Sequence, residues 1–119
     1  MKYIYTLQID ASSEQVAEIT QILGVEPNDS STEWKYKLVE KENDEYINFI
    51  EQFTAILDGK YNKLENIGIT RDDITIWMIY EYEGQCNMEF SPDEMKKLGD
   101  NGISFCISCC DVWDYSKSL

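Results

Sequence analysis

An α+β fold, with one mixed sheet of about five strands and helices packed against it, is what three features of this sequence predict. Short runs of alternating apolar residues interleave with runs at helical spacing. Helix-start signatures stand at Ser12 and at Ser91. A helix falls between the last two strands, a connection that favours a right-handed parallel crossover. With 119 residues, the chain is sized for a single domain over 1–119 and has surface enough to bury without disulfide or metal staples.

The elements follow in order. Tyr3, Tyr5, Leu7 and Ile9 alternate with Lys2, Ile4, Thr6 and Gln8 in a first strand. Ser12 and Gln15 form a capping box, Val16, Ile19, Ile22 and Leu23 follow at helical spacing, and Gly24 closes that helix. Residues 28–33 are polar and read as a loop. Trp34, Tyr36 and Leu38 mark a second strand. From Asp44 to Leu57 the stripe Ile47, Ile50, Phe53, Leu57 predicts a helix, and Tyr61, Leu64 and Ile67 a short further one. Residues 74–83 are the strongest strand, apolar on both faces and therefore central. Gly84 then permits a turn into a strand over 86–90. A three-residue loop would pair Tyr82 with Cys86, Tyr80 with Met88 and Met78 with Phe90, keeping apolar opposite apolar. Ser91, Pro92, Asp93 and Glu94 start a helix that Gly99 is placed to end, and a last strand begins near Ile103.

Composition narrows the function. The chain carries 23 acidic and 10 basic residues and no histidine, a net charge of −13. Such a surface repels phosphate backbones and anionic membranes, so neither nucleic acid nor membrane is an expected partner. It suits a basic protein partner, or serves solubility alone. No apolar run is long enough for a membrane span, and the N-terminal run is broken by Thr6, Gln8 and Asp10 before it resembles an export signal, so a cytoplasmic location is expected. Without histidine there is no Ser-His or Cys-His nucleophile. The adjacent carboxylates are no more than so acidic a chain supplies by chance, and no Gly-rich phosphate loop is present. The sequence therefore implies no enzyme and no catalytic residues.

Three of the four cysteines, Cys106, Cys109 and Cys110, crowd the last strand. There Phe105, Ile107 and Cys109 face one way and Cys106, Ser108 and Cys110 the other, with Cys106 and Cys109 about 10 Å apart. Neither one zinc ion nor a disulfide spans that distance. A parallel crossover from an 86–90 strand would place Cys86 about 20 Å from Cys110. The spacing C-x-x-C-C has no second matching pair, so no metal and no cofactor are expected. The cysteines read as plain strand thiols, with a redox role as the alternative.

Two acidic zones are candidate partner-binding surfaces. One combines Glu81 and Glu83 with Asp111, Trp113 and Asp114; the second is Glu40, Glu42 and Asp44. Aromatic rings among carboxylates anchor cationic partners: the rings fill pockets while the acids steer and pair with Arg or Lys.

Several segments carry a family resemblance: YTLQI, EQVAEITQILGVEP, the strand opened by Trp34, and NMEFSPDEMKKLGDNGISFCIS. Leu23, Gly24 and Pro27 match one motif; Ser91, Pro92, Glu94, Leu98 and Gly102 match a second. Together they resemble a bacterial family named domain of unknown function 4279. Small acidic members of such families look like immunity proteins encoded beside polymorphic toxins. The resemblance thus implies a non-catalytic protein that binds and neutralises a cognate, basic toxin domain. The alternative expectation is a non-catalytic scaffold or housekeeping domain, homodimeric through sheet edges or the aromatic tail.

Overall fold

Alternation along the first strand sets the core. In a computed structural model, which describes residues 2–29 and 33–111, this strand is β1 (Lys2–Ile9), followed by α1 (Ser13–Leu23), β2 (Trp34–Lys41), α2 (Phe49–Leu57) and α3 (Tyr61–Asn66). A 3-10 turn (Arg71–Asp73) leads into β3 (Ile74–Tyr82), α4 (Pro92–Asn101) and β4 (Ser104–Asp111). The class is the α+β one expected, with one mixed sheet of four strands rather than about five, in the order β2-β1-β3-β4. β1 is antiparallel to both β2 and β3, and β3 is parallel to β4 across the α4 crossover. No helix of the described residues is long and apolar enough to cross a membrane.

The register arranges one face of the sheet in rows. Trp34, Ile9 and Ile74 lie side by side, then Tyr36, Leu7, Ile76 and Phe105, then Leu38, Tyr5, Met78 and Ile107, and finally Glu40, Tyr3, Tyr80 and Cys109. Ile19 and Leu23 of α1, Phe49, Ile50, Phe53 and Leu57 of α2, Leu64 of α3 and Leu98 of α4 pack onto this face. Full burial of each such aliphatic or aromatic side chain contributes about 1.5–3 kcal/mol before entropy is counted. Trp34 Nε1 donates to Thr20 Oγ1 (3.1 Å) and Gln15 Nε2 to the Ile67 carbonyl (2.8 Å), fixing α1 to the sheet and to the end of α3. The opposite face carries Thr6, Gln8, Lys35, Lys37, Trp77, Ile79 and Ser108, which line a depression of about 210 Å³.

Three expectations are corrected. Residues 86–90 form no strand. β3 is already bonded to β1 on one side and β4 on the other, so no edge is left for a hairpin partner and the Tyr82–Cys86, Tyr80–Met88 and Met78–Phe90 pairs do not form. The segment instead crosses the helix-bearing side, where Met88 and Phe90 pack against the core and Phe90 meets Phe105 edge-on at 5.2 Å. The second helix begins at Phe49, not Asp44. Asp44 Oδ2 accepts the Lys41 amide (2.8 Å) in a turn through Asn43 (φ 73°), and Asn48 provides the cap through the Glu51 amide. Finally, α4 runs through Gly99 to Asn101. Its end is secured by Arg71 Nη1 donating to the Asn101 carbonyl and Tyr61 Oη to Asn101 Oδ1, both 2.6 Å, with the Arg71 guanidinium 4.0 Å over the Tyr61 ring. Gly102 follows in the left-handed region (φ 66°), where an added Cβ would meet Arg71 at 3.4 Å.

Glu33, just before β2, carries a carboxyl held above its ordinary range, first by a hydrogen bond with Asp10 and then by burial and the Asp10 charge, with Lys35 and Gln8 opposing. A raised acid contributes stability below its unfolded pKa and loses it as pH rises through the folded one. Glu33→Gln keeps a donor toward Asp10 without the ionisation. We expect the variant to be the more stable at pH 7, with the gap closing as pH falls toward 4, in urea midpoints followed across that range.

Candidate functional site

The last row of the sheet, Glu40–Tyr3–Tyr80–Cys109, is the polar end of the helix-bearing face. Tyr3 and Tyr80 stack with centroids 4.4 Å apart and planes 7° from parallel. Tyr3 also stacks on Tyr5 (5.8 Å), and Tyr5 on Phe49 of α2 (4.2 Å). Aromatic contact therefore runs unbroken from the exposed end of the sheet into the core.

Glu40 is 8% exposed. Its Oε1 accepts from Tyr5 Oη (3.2 Å) and from the Ile47 amide (2.6 Å), so one oxygen anchors the connection between β2 and α2. Two cavities meet at this residue. One, of about 160 Å³, is lined by Tyr3, Tyr5, Glu40, Tyr46, Phe49 and Met78, and closed by Asn87, Met88, Glu89 and Phe90. The other, of about 220 Å³, is lined by Tyr3, Glu40, Lys41, Glu42, Asn43, Asp44 and Tyr80. Tyr46, 61% exposed, stands at the rim with its hydroxyl donating to Glu94 Oε2 (3.1 Å). A larger concavity of about 770 Å³ runs along α1, from Ser13 to Pro27, but Glu26 is the one charged residue in its lining.

Burial, followed by Tyr80, pushes the Tyr3 phenol up to about 12; burial and Glu94 push Tyr46 to about 12. Burial and Glu40 raise Tyr5 further still. All three are neutral O–H donors at neutral pH. The cleft thus offers ring faces, phenol hydroxyls and carboxylates, the set that surrounds an ammonium or guanidinium group. Among the described residues no group of three or more His, Cys, Asp or Glu side chains is placed to bind a metal ion.

The structure brings together one of the two acidic zones. Glu40, Glu42 and Asp44 line the same cavity, although Glu40 and Asp44 each also spend an oxygen on local backbone. The other zone is dispersed. Glu81 is paired with Cys110 in the register and belongs to the opposite face of the sheet, Glu83 is exposed beyond β3, and Asp111 is the last residue of β4. Trp113 and Asp114 lie outside the described residues. Sequence reasoning missed Tyr3, Tyr80 and Tyr46 as cleft residues. Alternation places Tyr3 and Tyr80 on apolar faces, but only the strand order makes them neighbours of each other and of Glu40. Cys86 is corrected too. Because the crossover runs from β3 itself, Cys86 leaves the C-terminal end of β3 beside the C-terminal end of β4, and its Sγ lies 3.7 Å from that of Cys109.

No protein-family model matches this chain, and neither does any curated protein or solved structure.

Two outcomes are expected. Glu40→Ala leaves the Tyr5 hydroxyl and the Ile47 amide without their acceptor and should cost about 2–3 kcal/mol in urea unfolding, whereas Glu40→Gln, which keeps an acceptor oxygen, should cost about 1 kcal/mol or less. Raised phenols contribute stability below pH 10 that is lost as pH climbs through about 12. Absorbance titration of the eight tyrosines should show a late group ionising together with alkaline unfolding, and Tyr46→Phe should shrink that late group.

Proposed function

We propose that this chain is an immunity protein, a non-catalytic inhibitor that acts in the cytoplasm by binding and neutralising a cognate basic toxin domain of a bacterial toxin system. The observation that carries the reading is the meeting of Glu40, Glu42 and Asp44 with the stacked Tyr3 and Tyr80 at one cleft. The net charge of −13 supports it, because an acidic inhibitor attracts a basic target over long range and associates fast. In this reading the exposed carboxylates set the association rate and the rings and cavities set the lifetime of the complex.

A second reading, a homodimeric scaffold, is favoured by β4. It is the last strand of the sheet, no described strand borders its outer edge, and Ile107 on it is 42% exposed. An edge of eight residues that no described strand covers is a template for pairing with another copy. The outer edge of β2 is blunted instead, because the Asn28 amide exchanges bonds with Lys37 and Asp29 bridges to Lys35.

Capture from lysate of the source bacterium, washed at low and then high salt, tests the first reading. We expect one stoichiometric basic partner whose association with the purified chain slows about tenfold or more, and loses salt sensitivity, in a Glu42→Lys/Glu89→Lys/Asp44→Asn variant. Asp44→Asn is chosen because it retains the acceptor for the Lys41 amide. Unchanged kinetics would remove the cleft from the interface. No partner, with a concentration-dependent dimer in sedimentation, would favour the scaffold.

A further inference from the structure

Cys86 and Cys109 are 23 residues apart in sequence, yet their sulfurs lie 3.7 Å apart in an S–H···S contact. Both are free thiols. Cys109 is exposed on β4, at the end of the Glu40–Tyr3–Tyr80 row, and is held by the sheet. Cys86 is half-buried on the connection between β3 and α4, where residues 85–90 belong to no helix or strand. An S–S bond needs the sulfurs to close to about 2 Å. One partner is fixed and the other sits on irregular chain, so a small shift of the connection supplies that approach.

We infer that Cys86 and Cys109 form a reversible disulfide by exchange with a small disulfide of the glutathione class, stapling the connection between β3 and α4 to β4 beside the cleft. The Cys109 thiolate attacks one sulfur of the small disulfide; that S–S bond breaks, and one small thiolate leaves and takes up a proton. Cys86, as thiolate, then attacks the Cys109 sulfur of the mixed disulfide and expels the second small thiol. The pair loses two electrons, the small disulfide gains them, and the two protein protons end on the two small thiols. Cys109 is the exposed thiol of the two and Cys86 is half-buried, so Cys109 meets the small disulfide first. Cys106 and Cys110 lie on the opposite face of the sheet and do not compete within one molecule.

The connection supplies Asn87, Met88, Glu89 and Phe90 to one wall of the smaller cavity. Tying Cys86 to β4 fixes that wall one residue from where it begins. Formation of the bond is independent of the immunity reading; control of partner binding by it rests on that reading.

The test uses a Cys106→Ser/Cys110→Ser variant, equilibrated in mixtures of reduced and oxidised glutathione, alkylated, digested and mapped by mass spectrometry. We expect a single intramolecular Cys86–Cys109 link, loss of both alkylatable thiols, and a melting temperature raised by several degrees that dithiothreitol restores. Adding Cys86→Ser should abolish the link and the rise. Two thiols that stay alkylatable throughout, a stable glutathione adduct on Cys109, or a dimer joined through Cys109 would each overturn the inference. If the double variant does not fold by circular dichroism, the same map on the wild-type chain decides, since the linked peptides identify the pair.

Discussion

Pairing of β1 along both its edges is the constraint on which the rest depends. With β2 on one side and β3 on the other, the pleat fixes which residues share a face and the register fixes which share a row. A slip of one residue would send Tyr3, Tyr5, Leu7 and Ile9 to the open face and dismantle the core and the cleft together. The same pairing explains the missing fifth strand. Once β3 lies between β1 and β4, the segment after it has only the helix-bearing side to cross, where Met88 and Phe90 find apolar partners.

The sequence is legible where the physics is local. The Ser12 and Ser91 capping boxes both form, as does the left-handed close at Gly24. So does the division of Phe105, Ile107 and Cys109 from Cys106, Ser108 and Cys110, which needs only the two-residue period. What failed needed long-range information. The 86–90 hairpin satisfied every cross-strand preference but competed with a parallel β4 that no local rule could weigh. The early start of α2 ignored Glu40, which takes the Ile47 amide seven residues away, and the early stop of α4 ignored Arg71 and Tyr61, which come from another part of the chain. The cleft was half legible. Three of its acids, Glu40, Glu42 and Asp44, form one short stretch of sequence, whereas its tyrosines come from three separate segments.

Magnitudes separate the roles of the cleft residues. An exposed ion pair contributes roughly 1 kcal/mol or less, and salt screens it. Glu42 and Asp44, both exposed, are therefore suited to steering. A ring that becomes buried in a fitted pocket is worth several times that, so in the proposed complex Tyr3, Tyr80 and the rim Tyr46 would serve as anchors. Glu40 stands between the two classes. It faces both cavities, and it also holds Tyr5 and the approach to α2 in place. One residue thus lines both cavities and holds their support in place, which would lessen the ordering needed in the proposed complex.

The central claim is that a basic partner docks on the tyrosine-walled cleft rather than on the open sheet face or the β4 edge. Hydrogen–deuterium exchange of the chain, with and without its captured partner, tests it most directly. The account predicts added protection at residues 40–46 and 86–91, with the amides of β4 unchanged. Protection confined to β4, or to the strands without change in those two segments, would contradict it.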